Sequence, residues 1–205
     1  MARGRVKGDH DGKRVQIAEA ACKVFLRLGL ASASLVDIAR EMGNTTGILR
    51  HYFADKEELL LYVKNLLFDR LHERATSVAA RYDGLAKLRA MAVELLPADP
   101  ESIDVFRLLA MFNGRAIGDP NLMKLQHRRN ERHIANLSMV IAALQRDGIL
   151  RKELNAKLEA SGIHALIDGI GEQQIMRPEP LSRATLKGLI NRYIDGLAQT
   201  KQIRS

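Results

Sequence analysis

Residues 34–53 read SLVDIAREMGNTTGILRHYF, and this stretch decides the fold. Ser34 suits an N-cap, and Asp37, three positions on, can return a bond in the manner of a capping box. Ile38, Ala39 and Met42 give the helix that follows an inward face. Gly43 supplies a stop compatible with left-handed backbone. Beyond it Thr45 can cap a second helix, with Ile48, Leu49 and Phe53 expected on the inner side. Two short helices joined by a glycine-containing turn form the helix-turn-helix unit. In that unit the second helix lies in the DNA major groove while the first crosses the backbone.

The outer side of the second helix carries matching chemistry. Thr45, Thr46, Arg50 and His51 offer donors, and Gly47 lets backbone approach closely. An arginine binds guanine through two parallel bonds or holds a phosphate. Tyr52 can donate its hydroxyl to a phosphate oxygen, and Lys56 supplies a point charge there. Helix pairs with a glycine turn also occur in plain bundles, so a purely structural bundle stays open on these residues alone.

Outward from this stretch the apolar residues repeat at helical spacing. Ile17, Ala21, Val24, Phe25 and Leu28 form one stripe, and Leu59, Leu60, Val63, Leu66, Leu67 and Leu71 another. Leu186, Leu189, Ile190, Tyr193, Ile194 and Leu197 form a third. Offsets of 3, 4, 7 and 8 place each set on one helix face. No segment alternates as a strand would, and the fold class expected is all-α. The spacing predicts helices over 13–28, 35–42, 46–52, 56–81, 84–95, 101–117, 121–146, 153–176 and 181–199. The natural division is a small N-terminal bundle, 1–55, and a larger helical domain, 56–205, that begins with the long fourth helix.

Composition narrows the function classes. The 205 residues carry a net charge of +8, and residues 1–56, with 10 Lys/Arg and 6 Asp/Glu, hold half of it. Such a field favours polyanionic partners. No apolar run reaches the ~18 residues of a membrane span, the basic start lacks the apolar core of a secretory signal, and the single Cys22 allows no internal disulfide. Together these point to the cytoplasm. No phosphate-binding loop, nucleophile elbow or acidic metal cluster is present. No histidine pairs with another at i, i+4, so no catalytic residue, metal ligand or cofactor is expected. Cys22 reads as a small core residue, and Arg128, Arg129 and Arg132, between His127 and His133, read as a solvated helix face.

From Ile17 to Leu60 the chain combines AA-x-x-x-F-x-x-x-G, IA-x-x-x-G, T-x-G-x-L and YF-x-x-K-x-x-L, within AEAACKVFLRLG, SLVDIAREMG and TTGILRHYFADKEELL. In these motifs it resembles the TetR family of bacterial transcriptional regulators, over about a fifth of its length. The resemblance implies DNA contacts at Ser34, Thr45, Thr46, Arg50, His51 and Tyr52, with Lys56 on phosphate. Asn44 stands where the family usually has an apolar residue packing the turn, and Arg50 where a tyrosine is common. Arg3, Arg5 and Lys7, ahead of the first helix, suit either an arm in the minor groove or a solvated tail.

The resemblance also implies a homodimer on a palindromic operator, released by a small effector. For the dimer the expected residues are Gly162, Ala165, Leu166, Gly169 and Ile170 on one helix. Leu186, Ile190, Tyr193 and Leu197 are expected from the last. Three glycines inside one helix suggest a compensating close approach. For a small, largely apolar effector the expected lining is Leu67, Met91, Leu95, Phe106 and Ala110, with His133 and Asn136 as polar groups. The competing reading is an all-helical carrier or enzyme whose N-terminal bundle is structural.

Overall fold

The computed structural model describes residues 2–198, with side chains from His10 onward. Among the described residues the regular elements are helices: α1 Ala2–Ser32, α2 Leu35–Glu41, α3 Thr46–Tyr52, α4 Lys56–Ala79, α5 Gly84–Glu94, α6 Pro100–Ile117, α7 Pro120–Arg146, α8 Ala156–Met176 and α9 Arg183–Asp195. The all-α expectation holds. The largest departure is α1, whose helical backbone takes in Arg3, Arg5 and Lys7, where an arm or tail was expected. No proline lies there to stop it. Its far end kinks at Gly29 (φ 78°), one residue past the predicted stop.

The chain divides into two compact units, one running to Arg70 and including Arg107–Phe112, the other formed by the remainder. The division falls inside α4 rather than at the expected residue 55. In the first unit Ile17, Val24, Phe25, Ile38, Leu49 and Phe53 are buried together with Leu59 and Val63 of α4. Each such side chain removed from water contributes about 1.5–3 kcal/mol. The Arg14 guanidinium lies over the rings of Phe53 and Tyr62, at 4.4 and 4.6 Å, and donates to Glu58 at 2.7 Å. That stack fixes the end of α3 against α4.

In the second unit Leu88 and Leu96 pack with Leu137 and Ile141 of α7, Ala160 and Ile163 of α8, and Leu186, Ile190 and Ile194 of α9. Prolines and caps set the helix starts. Asp99 and Ser102 form a reciprocal capping box before Pro100, and Asp119 caps α7 before Pro120. Asn155 caps α8, which therefore starts at Ala156 rather than 153. Buried Gln174 accepts from the Leu181 amide at 2.8 Å and donates to the carbonyls of Leu181 and Pro97. One amide side chain thus satisfies three backbone groups, two in the bend between α8 and α9 and one between α5 and α6.

The expected pairing residues are corrected here. Leu186, Ile190, Ile170 and Leu197 are buried in the core of their own chain, and Leu166 packs against it. Gly162 does mark a close approach, but of Tyr193 in the same chain. A Cβ there would stand 2.1 Å from the Tyr193 hydroxyl, which donates to Glu159 at 3.0 Å. Gly171 seats the Phe106 ring in the same way, with a Cβ-to-ring distance of 2.1 Å. Of the three α8 glycines, Gly169 alone faces open space. The exposed face of α8 holds Ala165, Asp168, Gly169 and Met176, and α9 exposes Leu189.

Candidate nucleic-acid interface

The capping box at α2 forms as expected: the Asp37 amide donates to Ser34 Oγ at 3.2 Å, and the Ser34 amide to Asp37 Oδ2 at 3.0 Å. The Ser34 hydroxyl also donates to that carboxylate. Hydrogen bonds from the Ser34 hydroxyl and amide hold the Asp37 carboxyl below its usual range. Ser34 therefore orders the first helix, and its hydroxyl proton is already engaged. Gly43 adopts φ 63°, and the Asn44 side chain donates to the Met42 carbonyl at 3.0 Å. The polar residue at the family's usual apolar position thus closes the turn by a hydrogen bond instead of by packing.

On α3, Leu49 and Phe53 are buried, while Thr45, Gly47, Arg50 and His51 are exposed and Thr46 and Tyr52 are half-buried. Thr45 occupies the N-cap position without a side-chain cap bond. Ile48 differs from expectation: it lies outward at 37% exposure, because Leu49 and Phe53 already fill the inner side of this short helix. Lys56 Nζ donates to the Ala31 carbonyl at 3.1 Å, tying the start of α4 to the end of α1. Its charge is thereby held in place rather than free-swinging.

His10 was not singled out from sequence. Its ring lies 4.8 Å from Tyr52 and 6.4 Å from His51, and His51 meets Tyr52 edge-on at 5.1 Å. Three polar aromatic rings from α1 and α3 thus gather at the end of α3. The predicted start of α1 at residue 13 left His10 outside any element, which hid the contact.

The expected effector residues fall into both units. Met91, Leu95 and Phe106 are buried in the second, and His133 and Asn136 are half-buried there. Leu67 is buried in the first. Ala110 is exposed and is corrected from a lining residue to a surface one. The second unit also brings together histidines that no linear spacing revealed. His133 Nδ1 lies 3.2 Å from both ring nitrogens of His72, and the His133 and His164 rings are 5.1 Å apart. Burial, then the neighbouring His72 and His164, push His133 down to about 3. Cys22 is pushed up to about 11, chiefly by burial, which suits an unreactive thiol.

Among the described residues no group of three or more His, Cys, Asp or Glu is arranged to hold a metal ion. No described helix is long and apolar enough to cross a membrane. A small bundle that presents the polar face of a short second helix, in a chain with a further helical unit, defines a helix-turn-helix regulator. The comparisons with known proteins give the family. The profile of bacterial regulatory proteins of the tetR family matches residues 17–63, and that of the BetI-type transcriptional repressor C-terminal part matches residues 84–199. The chain belongs to the TetR family of transcriptional regulators, and its second part is of the BetI type.

The transcriptional regulator BetI of Paraburkholderia xenovorans (strain LB400) is 32% identical over 193 residues, covering 92% of this chain and 94% of that protein. The regulator PksA of Bacillus subtilis (strain 168) is 28% identical over 191 residues, covering 92% and 91%. A regulator from Saccharomonospora viridis, solved in complex with choline, superposes with a TM-score of 0.79 at 22% identity, over 93% of this chain and 100% of that one. These relatives are regulators, not enzymes, and the carrier or enzyme reading falls with them.

Proposed function

We propose that this chain is a homodimeric repressor that binds a palindromic operator in the cytoplasm and is released by a small, largely apolar effector. Arg50 reads base edges, with Thr45, Thr46, His51 and Tyr52 beside it. Gly47 admits the DNA backbone, and Lys56 and the capped Ser34 end of α2 sit on phosphate. The observation that carries this reading is the division of α3: Leu49 and Phe53 buried, Arg50 and His51 exposed. The basic excess of residues 1–56 supports it electrostatically.

Two copies pair through the exposed face of α8 around Ala165 and Gly169, with Leu189 of α9, so the same patch meets itself across a two-fold axis. Effector binding favours an arrangement of the reading helices that fits the operator less well. Such coupling is typically about 1–3 kcal/mol. Choline belongs to the Saccharomonospora neighbour. Here Phe106 is seated on Gly171, Tyr193 is bound to Glu159 and Tyr82 is largely exposed, which does not favour an aromatic cage for a quaternary ammonium.

Gel-retardation titration tests the reading. Arg50→Ala is expected to cost about 1–3 kcal/mol on the operator and to relax specificity. Lys56→Ala should weaken every duplex alike. Gly169→Arg, which meets open space within one chain, should yield monomers by analytical ultracentrifugation and lose operator binding. Wild-type behaviour from all three would overturn the proposal.

A further inference from the structure

Ile48 is an apolar side chain exposed on the polar side of α3, whose inner side Leu49 and Phe53 fill. We propose that Ile48 takes part in base recognition by covering the C5 methyl group of a thymine, which makes it a determinant of specificity separate from Arg50. This rests on the DNA-binding reading above and adds the kind of base pair that one further residue selects.

Helix geometry places the residue. Successive side chains turn by ~100° about an α-helix. With Leu49 pointing inward, Gly47 and His51 stand nearly opposite it. Ile48 and Arg50 lie ~100° to either side of Leu49, on the two flanks of the outward side, and so address different base pairs. The Ile48 amide donates to the Thr45 carbonyl at 3.2 Å, which fixes the residue in the first turn of α3. Gly47 has no side chain, and a Cβ there would meet only Thr45 Oγ1, at 3.7 Å. Bare backbone therefore lies between the two flanks, and a duplex can come close enough for a short branched side chain to reach base edges.

Chemistry selects the partner. The isoleucine side chain neither donates nor accepts a hydrogen bond, so it cannot read the polar edges of guanine, adenine or cytosine. Thymine alone presents an apolar group in the major groove, its C5 methyl. Covering that methyl removes apolar surface of both partners from water. A phosphate or a base amino group in the same place would lose hydration without a hydrogen bond in return. Among the described residues, the other large apolar side chains exposed in the first unit are Leu28, Val36 and Leu61, on α1, α2 and α4. Ile48 is the one on α3.

A duplex selected by the full chain from a random pool tests the assignment through one methyl group. Uracil is thymine without the C5 methyl and pairs with adenine in the same way. In gel-retardation titrations, replacing thymine by uracil one position at a time should weaken wild-type binding about fourfold at one position of a half-site. That position should differ from the one where Arg50→Ala loses discrimination. Ile48→Ala should bind the thymine and uracil duplexes equally there, and Ile48→Val, which stays branched, should keep most of the preference. Alanine is the better helix former, so the urea midpoint of Ile48→Ala should match or exceed that of wild type. Should that variant fail to fold, Ile48→Ser takes its place. A selected consensus without thymine, wild-type protein indifferent to uracil at every position, or a uracil penalty that survives unchanged in Ile48→Ala would overturn the proposal. The two readings fail differently. Specific binding with no uracil effect removes Ile48 from base recognition and leaves the regulator reading intact, whereas absence of sequence-specific binding removes both.

Discussion

His51 and His133 are the same residue type placed in opposite environments in the two units. In the first unit α3 turns His51 outward beside Arg50, with water on one side and the ring of Tyr52 on the other. In the second unit His133 lies among two further imidazoles, where burial keeps it neutral. The outward side of α3 thus keeps the Arg50 charge at the surface, where a polyanion would release counterions. In the second unit His72, His133 and His164 are half-buried together instead. Sequence alone marks both residues as histidines. Environment decides which faces water and which is drawn among other rings.

The largest expected effect concerns what holds α3 outward. Phe53→Ala removes a fully buried ring that lies under the Arg14 guanidinium, at a cost of about 3–5 kcal/mol in urea denaturation. Operator binding should fall with it. Unchanged stability would mean that α3 is not anchored by its inner face.

Next come the glycines of α8. Gly171→Ala drives a Cβ into the Phe106 ring, and such overpacking costs about 1–3 kcal/mol. Gly169→Ala meets nothing within its own chain, and should leave stability unchanged or raise it by up to about 1 kcal/mol. Equal effects at the two positions would contradict the placement of α8.

A smaller effect separates the units by acid response. His133 is depressed to about 3 in the folded chain, so the unfolded chain takes up that proton first. Stability should therefore fall as pH drops from about 6.5 towards 3, and His133→Gln should flatten that decline. Asp37 acts lower. Its carboxyl is held below the usual value by Ser34, so the stability it gives is present above its ordinary range and lost as pH falls through its folded value. Ser34→Ala, which removes the cap at a cost of about 1 kcal/mol, should weaken that acid limb. Denaturant midpoints across pH read both.

Much of the first unit was legible because its signals are local. The Ser34–Asp37 box, the Gly43 turn and the burial of Leu49 and Phe53 depend on neighbours three or four residues apart, and each forms as expected. Ile48 misled because a seven-residue helix has a narrow inner stripe, which its neighbours fill. In the second unit helix positions were also legible, from prolines and caps. Which faces meet was not: Leu186 and Ile190 have the periodicity of an interface and that of a core alike, and packing buries them. The histidine cluster was hidden more deeply. His72 and His133 stand 61 residues apart yet approach within 3.2 Å, and no spacing along one helix could announce it.

On the proposed function, the outward side of α3 reads DNA as one half of a symmetric pair. Selection of bound duplexes from a random pool tests this most directly. The expected outcome is a two-fold-symmetric consensus whose half-sites lie roughly 34–36 Å apart or a multiple of it, with bases under Arg50 losing enrichment when Arg50→Ala is selected in parallel. Enrichment of no sequence, or of a single motif without symmetry, would contradict it.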